Sequence, residues 1–163
     1  KVLDYVNESA TDDKVVFDLF SGTVTIGQIV SKMTNASNVY GIELVEEAVN
    51  KANENVRLNG LENCKFISGD VFTKLDEFDA EGIEPDVIIL DPPRVGVGEK
   101  ALTKILKYNV KNIVYVSCNP KSLAQDLRLL EMNGYAVEKV CCVDMFPQTP
   151  HVECVALIER KKP

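Results

Sequence analysis

The chain of 163 residues carries 25 acidic and 18 basic side chains, a net charge of −7, with 45% apolar residues. That composition describes one globular domain able to build its own core and excludes a disordered or fibrous chain. Apolar runs of four to six residues exclude a transmembrane helix, and the acidic excess speaks against a free-standing nucleic-acid binder. In chain order, Val2 to Ala10 reads as a leading helix and Val15 to Phe20 as a short buried strand. Helix Thr25 to Met33 and strand Val39 to Glu43 follow. Val45, Ala48, Val49, Ala52 and Val56 recur at helical spacing and predict a helix from Val45 to Leu58, stopped by Asn59-Gly60. Then come strand Lys65 to Ser68, helix Val71 to Ala80, and Val87 to Leu90, the most apolar run, as the central strand. Helix Glu99 to Tyr108, strand Ile113 to Val116 and helix Ser122 to Met132 lead to two last strands, about Val137 to Val143 and Val152 to Ile158.

This alternation predicts an α/β domain spanning residues 1–163: a doubly wound, mostly parallel seven-stranded sheet ending in an antiparallel hairpin. No signal peptide opens the chain and no Met begins it, so a fragment of a cytoplasmic protein is expected. The five cysteines are an odd number without CxxC or metal spacing, which fits a reduced compartment and no metal.

A doubly wound sheet binds its ligand beyond the carboxyl ends of its strands. There the sequence places Asp18 with Ser21-Gly22, then Glu43, Asp70, Asp91 and Ser117-Cys118. Gly22 allows close backbone approach, and Glu43 is placed to accept both hydroxyls of a ribose. A dinucleotide site asks for G-x-G-x-x-G, but residues 22–27 read G-T-V-T-I-G, with Val24 where the middle glycine belongs. Asp70 and Phe72 suit an adenine, one for its exocyclic amine and one for its ring face. An adenosine ligand without phosphates fits this set best, and S-adenosylmethionine is the common one. The plainer reading is that Gly22 is a turn and Glu43 a solvated strand end.

The order DLFSGT, YGIELVEEAVNKANENVRLNG, GD, DPPR, SCNP and PHVE resembles the catalytic domain of the RNA uracil-5-methyltransferases, which act on ribosomal or transfer RNA. The resemblance runs from about Val2 to Glu159, and its last three motifs are the specific ones. It implies a Rossmann-like class I methyltransferase fold, S-adenosylmethionine as cofactor and an RNA substrate. Carbon 5 of uracil is too weak a nucleophile to take a methyl group unaided. A thiolate added at carbon 6 activates it, and a base must then remove the carbon-5 proton.

The family's nucleophile falls on Cys118, its base on Glu153, and Asp91 takes the place that holds the uracil edge near the cofactor. Without the motif, Cys118 reads as a buried structural thiol and Glu153 as a surface carboxylate. The Cys118 thiolate needs a positive neighbour, for which Arg94 and Lys121 are both candidates. With Asn119 they form the expected substrate-binding set. His151, the single histidine, reads as structural or as a loop contact. Cys64, Cys141, Cys142 and Cys154 read as packing or surface thiols.

Related cytosine-5 enzymes carry a Cys in the loop after the fourth strand, and residues 91–98 have none. Amine-directed enzymes follow D/N-P-P with an aromatic residue, where this chain has Arg94. Val24 departs from the family's glycine, and the family's N-terminal RNA-binding barrel is absent from this chain. The alternatives are therefore a methyltransferase for another RNA base or an amine, and a non-catalytic adenosine-ligand or RNA-binding module. Charge is also uneven. Residues 1–90 sum to −10, residues 91–128 to +4 and the rest to −1. The positive stretch runs from DPPR through SCNP, where a phosphate backbone would pass. Most RNA affinity is expected from a part of the protein outside this chain.

Overall fold

Val87, Ile88, Ile89 and Leu90 expose no surface, which requires a strand covered on both faces. Burying each such side chain contributes about 1.5–3 kcal/mol. The computed structural model describes residues 1–9, 14–22 and 25–161. Its elements are α1 (Val2–Glu8), β1 (Lys14–Leu19), α2 (Thr25–Met33), β2 (Ala36–Glu43), α3 (Glu46–Leu58), β3 (Cys64–Ser68), α4 (Val71–Glu81), β4 (Val87–Leu90), α5 (Glu99–Lys107), β5 (Asn112–Ser117), α6 (Pro120–Met132), β6 (Tyr135–Val143) and β7 (Glu153–Arg160). Ala10, the expected end of α1, and Val24 lie outside the described residues.

The seven strands lie in the order β3-β2-β1-β4-β5-β7-β6. The first five run parallel, and β7 is antiparallel to both β5 and β6. The expected α/β class, the central place of Val87–Leu90 and the antiparallel hairpin all hold. What the hairpin pattern leaves open is the slot of β7, between β5 and β6. Its run Cys154 to Ile158 is fully buried, and it needs neighbours on both sides as well as on both faces.

Two apolar cores flank the sheet. Val16, Ile89 and Val114 pack against Tyr5 and Val6 of α1, Val30 of α2, and Val49, Ala52 and Val56 of α3. Phe17, Leu19, Ile88, Leu90 and Tyr115 pack against α4, α5 and α6. Val45 is the N-cap of α3 rather than its first helical residue. Helix α6 begins two residues before its expected start at Ser122, because Asn119 caps it and Pro120 fits its first turn. No helix among the described residues is long and apolar enough to cross a membrane.

Candidate functional site

Strand order reverses between β1 and β4, so their carboxyl ends open into a crevice. Two clefts meet there. The first, about 430 Å³, is lined by Phe20, Gly22, Glu43, Asp70, Phe72, Asp91 and their neighbours. The second, about 560 Å³, is lined by Asp91, Val116, Cys118, Val143, Met145, Phe146, Glu153, Val155 and the first two residues of the chain. Asp91 lines both. Every expected cofactor residue except Asp18 is in the first cleft, and all three expected catalytic residues are in the second.

In the first cleft the Glu43 carboxylate ties two loops together. Its Oε2 accepts the Gly22 N–H at 2.9 Å and its Oε1 the Val45 N–H at 3.0 Å. Gly22 has φ +51, a conformation that favours glycine. A carboxylate offers about four lone-pair sites, so Glu43 retains acceptors for hydroxyl groups in the cleft. Asp70 caps α4, its Oδ1 accepting the Thr73 N–H at 3.2 Å. The Phe72 ring has two ammonium groups near it, Lys100 at 5.1 Å and Lys104 at 5.6 Å from its centroid, a cation–π arrangement. Phe20, which sequence reasoning missed, also lines this cleft and sits at φ 61. A left-handed non-glycine residue costs of order 1–3 kcal/mol, and such strain collects at ligand sites.

Asp18 corrects an expectation. It lies inside β1 rather than at its end, is fully buried, and lines neither cleft. Among the described residues neither of its carboxylate oxygens completes a hydrogen bond. Burial, and then the charge of Asp91, push its pKa up to about 7, with partial relief from the Gly27 N–H. A β-carbon on Gly27 would lie 2.8 Å from Asp18 Oδ2, so α2 starts directly against this carboxyl. Asp18 sits beneath the site rather than on its wall.

In the second cleft, register brings the chemistry together. Ser117 pairs with Cys154 across β5 and β7, so Cys118 and Glu153 emerge side by side. Alternation places Val116, Cys118, Glu153 and Val155 on one face of the sheet. Cys118 immediately precedes the N-cap of the 13-residue α6, where the helix dipole favours negative charge. Burial, followed by the nearby Glu153 charge, holds Asp91 at about 6, well above the usual carboxylate range. Two carboxylates and a thiol thus share one partly apolar cavity.

Of the expected substrate residues, Asn119 takes a different part. Its Nδ2 donates to the Arg94 carbonyl at 2.8 Å and its Oδ1 accepts the Lys121 N–H at 3.2 Å. It fastens the DPPR turn to α6. Arg94 and Lys121 are exposed and line neither cleft. Arg94 Nη2 lies 3.5 Å from His151 Nδ1, which makes His151 a loop contact as expected. Neither cation reaches the wall around Cys118; Lys1 does.

Sequence reasoning also missed Asp126, buried on α6. Its carboxylate accepts the Val97 N–H at 2.7 Å, the Gly98 N–H at 3.3 Å and the Tyr115 hydroxyl at 2.5 Å. The signal was a lone acid at core spacing with Leu123 and Leu130. Met145 and Phe146, 59% and 56% exposed, line the second cleft and were missed too; the signal was two large apolar residues in a turn-rich loop. Among the described residues no cluster of three or more His, Cys, Asp or Glu side chains could hold a metal ion.

Comparison with known proteins fits this layout. A profile of the family described as tRNA (Uracil-5-)-methyltransferase matches residues 1–161. An uncharacterized RNA methyltransferase of Clostridium tetani is 54% identical over 160 residues, covering 98% of this chain and 34% of that protein. Another from Caldanaerobacter subterraneus is 51% identical over 162 residues, covering 98% and 35%. The chain therefore spans about a third of the length of these relatives. The crystal structure of a Pyrococcus abyssi tRNA (uracil-54, C5)-methyltransferase with S-adenosyl-L-homocysteine superposes with a TM-score of 0.76 at 32% identity, covering 96% of this chain and 36% of that one. A Streptococcus pneumoniae protein, described as a putative tRNA (m1A22) methyltransferase in complex with S-adenosyl-L-methionine, has a TM-score of 0.73 at 17% identity, covering 99% and 72%, a likeness of fold alone. With the profile matching from end to end, the chain belongs to the tRNA (uracil-5-)-methyltransferase family.

Proposed function

We propose that this chain is the catalytic domain of an S-adenosylmethionine-dependent enzyme that methylates carbon 5 of a uridine in ribosomal or transfer RNA. The observation that carries the reading is one cavity lined at once by Cys118, Glu153 and Asp91, joined through Asp91 to a second that suits an adenosine. Glu43 would take the ribose hydroxyls, Asp70 and Phe72 the adenine, and Gly22 would let the ligand lie against the backbone. Bound there, S-adenosylmethionine supplies an electrophilic methyl group on a sulfonium.

The chain's own residues do the rest. The Cys118 thiolate forms a bond to carbon 6 of the uracil, and the carbon 5–carbon 6 electron pair moves toward oxygen 4. Asp91 holds the polar edge of the ring. After methylation Glu153 takes the carbon-5 proton; the electrons left behind restore the double bond and expel the thiolate. Relatives about three times the length of this chain support an RNA-binding domain elsewhere in the protein.

The test uses the full-length protein and RNA bearing 5-fluorouridine, which has no carbon-5 proton to lose. Wild type should form a stable covalent protein–RNA adduct in the presence of S-adenosylmethionine, and Cys118→Ala none. An undiminished adduct from Cys118→Ala, or methyl found away from carbon 5 of uridine, would overturn the reading.

A further inference from the structure

Cys142 and Cys154 face each other directly across the β6–β7 ladder, and their sulfurs lie 3.5 Å apart. Opposed residues in an antiparallel pair have Cα atoms about 4.5–5.5 Å apart, inside the usual disulfide range of about 4.4–6.8 Å. Cys142 is exposed and Cys154 is buried, so one sulfur meets solvent and the other waits behind it. Alternation turns both away from the second cleft, onto the sheet face opposite Glu153 and Cys118.

Their place in the chain gives the pair its leverage. Cys154 follows Glu153 directly and pairs with Ser117, the residue before Cys118. A bond between the two sulfurs would draw β6 and β7 together immediately beneath the second cleft.

We propose that Cys142 and Cys154 form an oxidation site, closed to a disulfide by a peroxide, which reversibly silences the neighbouring cleft. The Cys142 thiolate attacks one peroxide oxygen, giving a sulfenic acid and water once the leaving oxygen is protonated. The Cys154 sulfur then attacks the Cys142 sulfur, the S–O bond breaks, and a second water leaves with the thiol proton. Two thiols are oxidised and one peroxide is reduced. Burial and its neighbour Cys142 push the Cys154 thiol up to about 11, so Cys142 is the sulfur that meets the oxidant first.

The effect on turnover rests on the uridine reading above; the disulfide itself does not. In the test, the full-length protein is treated with hydrogen peroxide, free thiols are alkylated, and the chain is cleaved after Glu153 for mass mapping. A Cys142–Cys154 crosslink is expected, removed by dithiothreitol and absent from Cys142→Ser. Methylation of RNA should fall at least about tenfold, since ångström displacements of catalytic groups cost that much or more, and recover on reduction. Cys142→Ser, at an exposed position, should keep its activity through the same treatment. No crosslink, a crosslink with undiminished turnover, or equal loss in Cys142→Ser would each overturn the proposal, the last by placing the damage at Cys118. A protein inactive before peroxide counts against the uridine reading alone, and the crosslink map still decides the oxidation site.

Discussion

Asp18 is where burial and charge conflict most sharply. Its carboxyl is fully enclosed, unbonded by either oxygen among the described residues, and held at about 7. In the unfolded chain it would titrate near its ordinary 3.8. Below that value both states are protonated and Asp18 imposes no penalty. As pH rises, the unfolded chain ionises first, so unfolding releases a proton and stability falls until about pH 7. Each pH unit between the two values costs about 1.4 kcal/mol, so the full penalty is on the order of 4 kcal/mol. Asp18→Asn cannot ionise and escapes it. The melting temperature of the variant relative to wild type should therefore rise between about pH 4 and pH 7 and level off above that. A difference that does not change with pH would show that Asp18 is not the buried acid described. Asp91 acts with the same sign and a smaller effect, being held at about 6, and because it lines both clefts its protonation changes the site as well as the stability.

Among the elements, the junction of β4, β5 and α6 sets the geometry of the second cleft, and Asp126 holds it. One carboxylate takes two loop N–H groups and the Tyr115 hydroxyl, and burial with Asp126 beside it raises the Tyr115 pKa. Gly96, at φ +85, has no room for a β-carbon, which would lie 2.6 Å from Asp126 Oδ2. Asp126→Ala should cost about 3 kcal/mol, because it strands a buried hydroxyl as well as removing charge-assisted bonds. Adding Tyr115→Phe should recover part of that loss, since the stranded hydroxyl goes with it. Urea unfolding of the two single variants and the double one measures the coupling; strictly additive losses would mean that the two side chains do not depend on each other. This junction also marks the limit of what the sequence discloses. Apolar runs such as Val87–Leu90 and Val49, Ala52 and Val56 on α3 announce strands and helices because burial acts on periodicity, which is local. The motif residues at strand ends were legible for the same reason, since a parallel sheet sends its strand ends to one side. Asp126, Phe20 and the slot of β7 were not, because each depends on a partner distant in the chain. Asp18 was misplaced by a single strand residue, enough to carry it from the wall of the cleft to the layer below.

Over the whole molecule, charge and function divide along the sheet. Residues 1–90, with the first four strands, carry −10, and residues 91–128, from the DPPR turn through most of α6, carry +4. An acidic half suits a cationic sulfonium, and the positive stretch borders the cleft where an RNA strand would be threaded. Yet that stretch is modest. Lys104 is already paired with Asp76 at 2.5 Å, and of the exposed cations only Arg94 and Lys121 directly flank the DPPR and SCNP turns. Each phosphate neutralised on a single strand steepens the dependence of log affinity on log salt by about 0.7, so two such contacts give a slope of about −1.4. The chain has two cores of its own and spans 34% of a relative's length, so it is compared with the full-length protein. Binding of a uridine-containing RNA across a salt series should give this chain a slope of about −1 to −2 and the full-length protein one at least about twice as steep. Equal slopes would place the RNA affinity within these 163 residues and refute the division of labour. A steeper slope for the longer protein would show that the acidic excess belongs to a chemical module that another part of the protein brings to RNA.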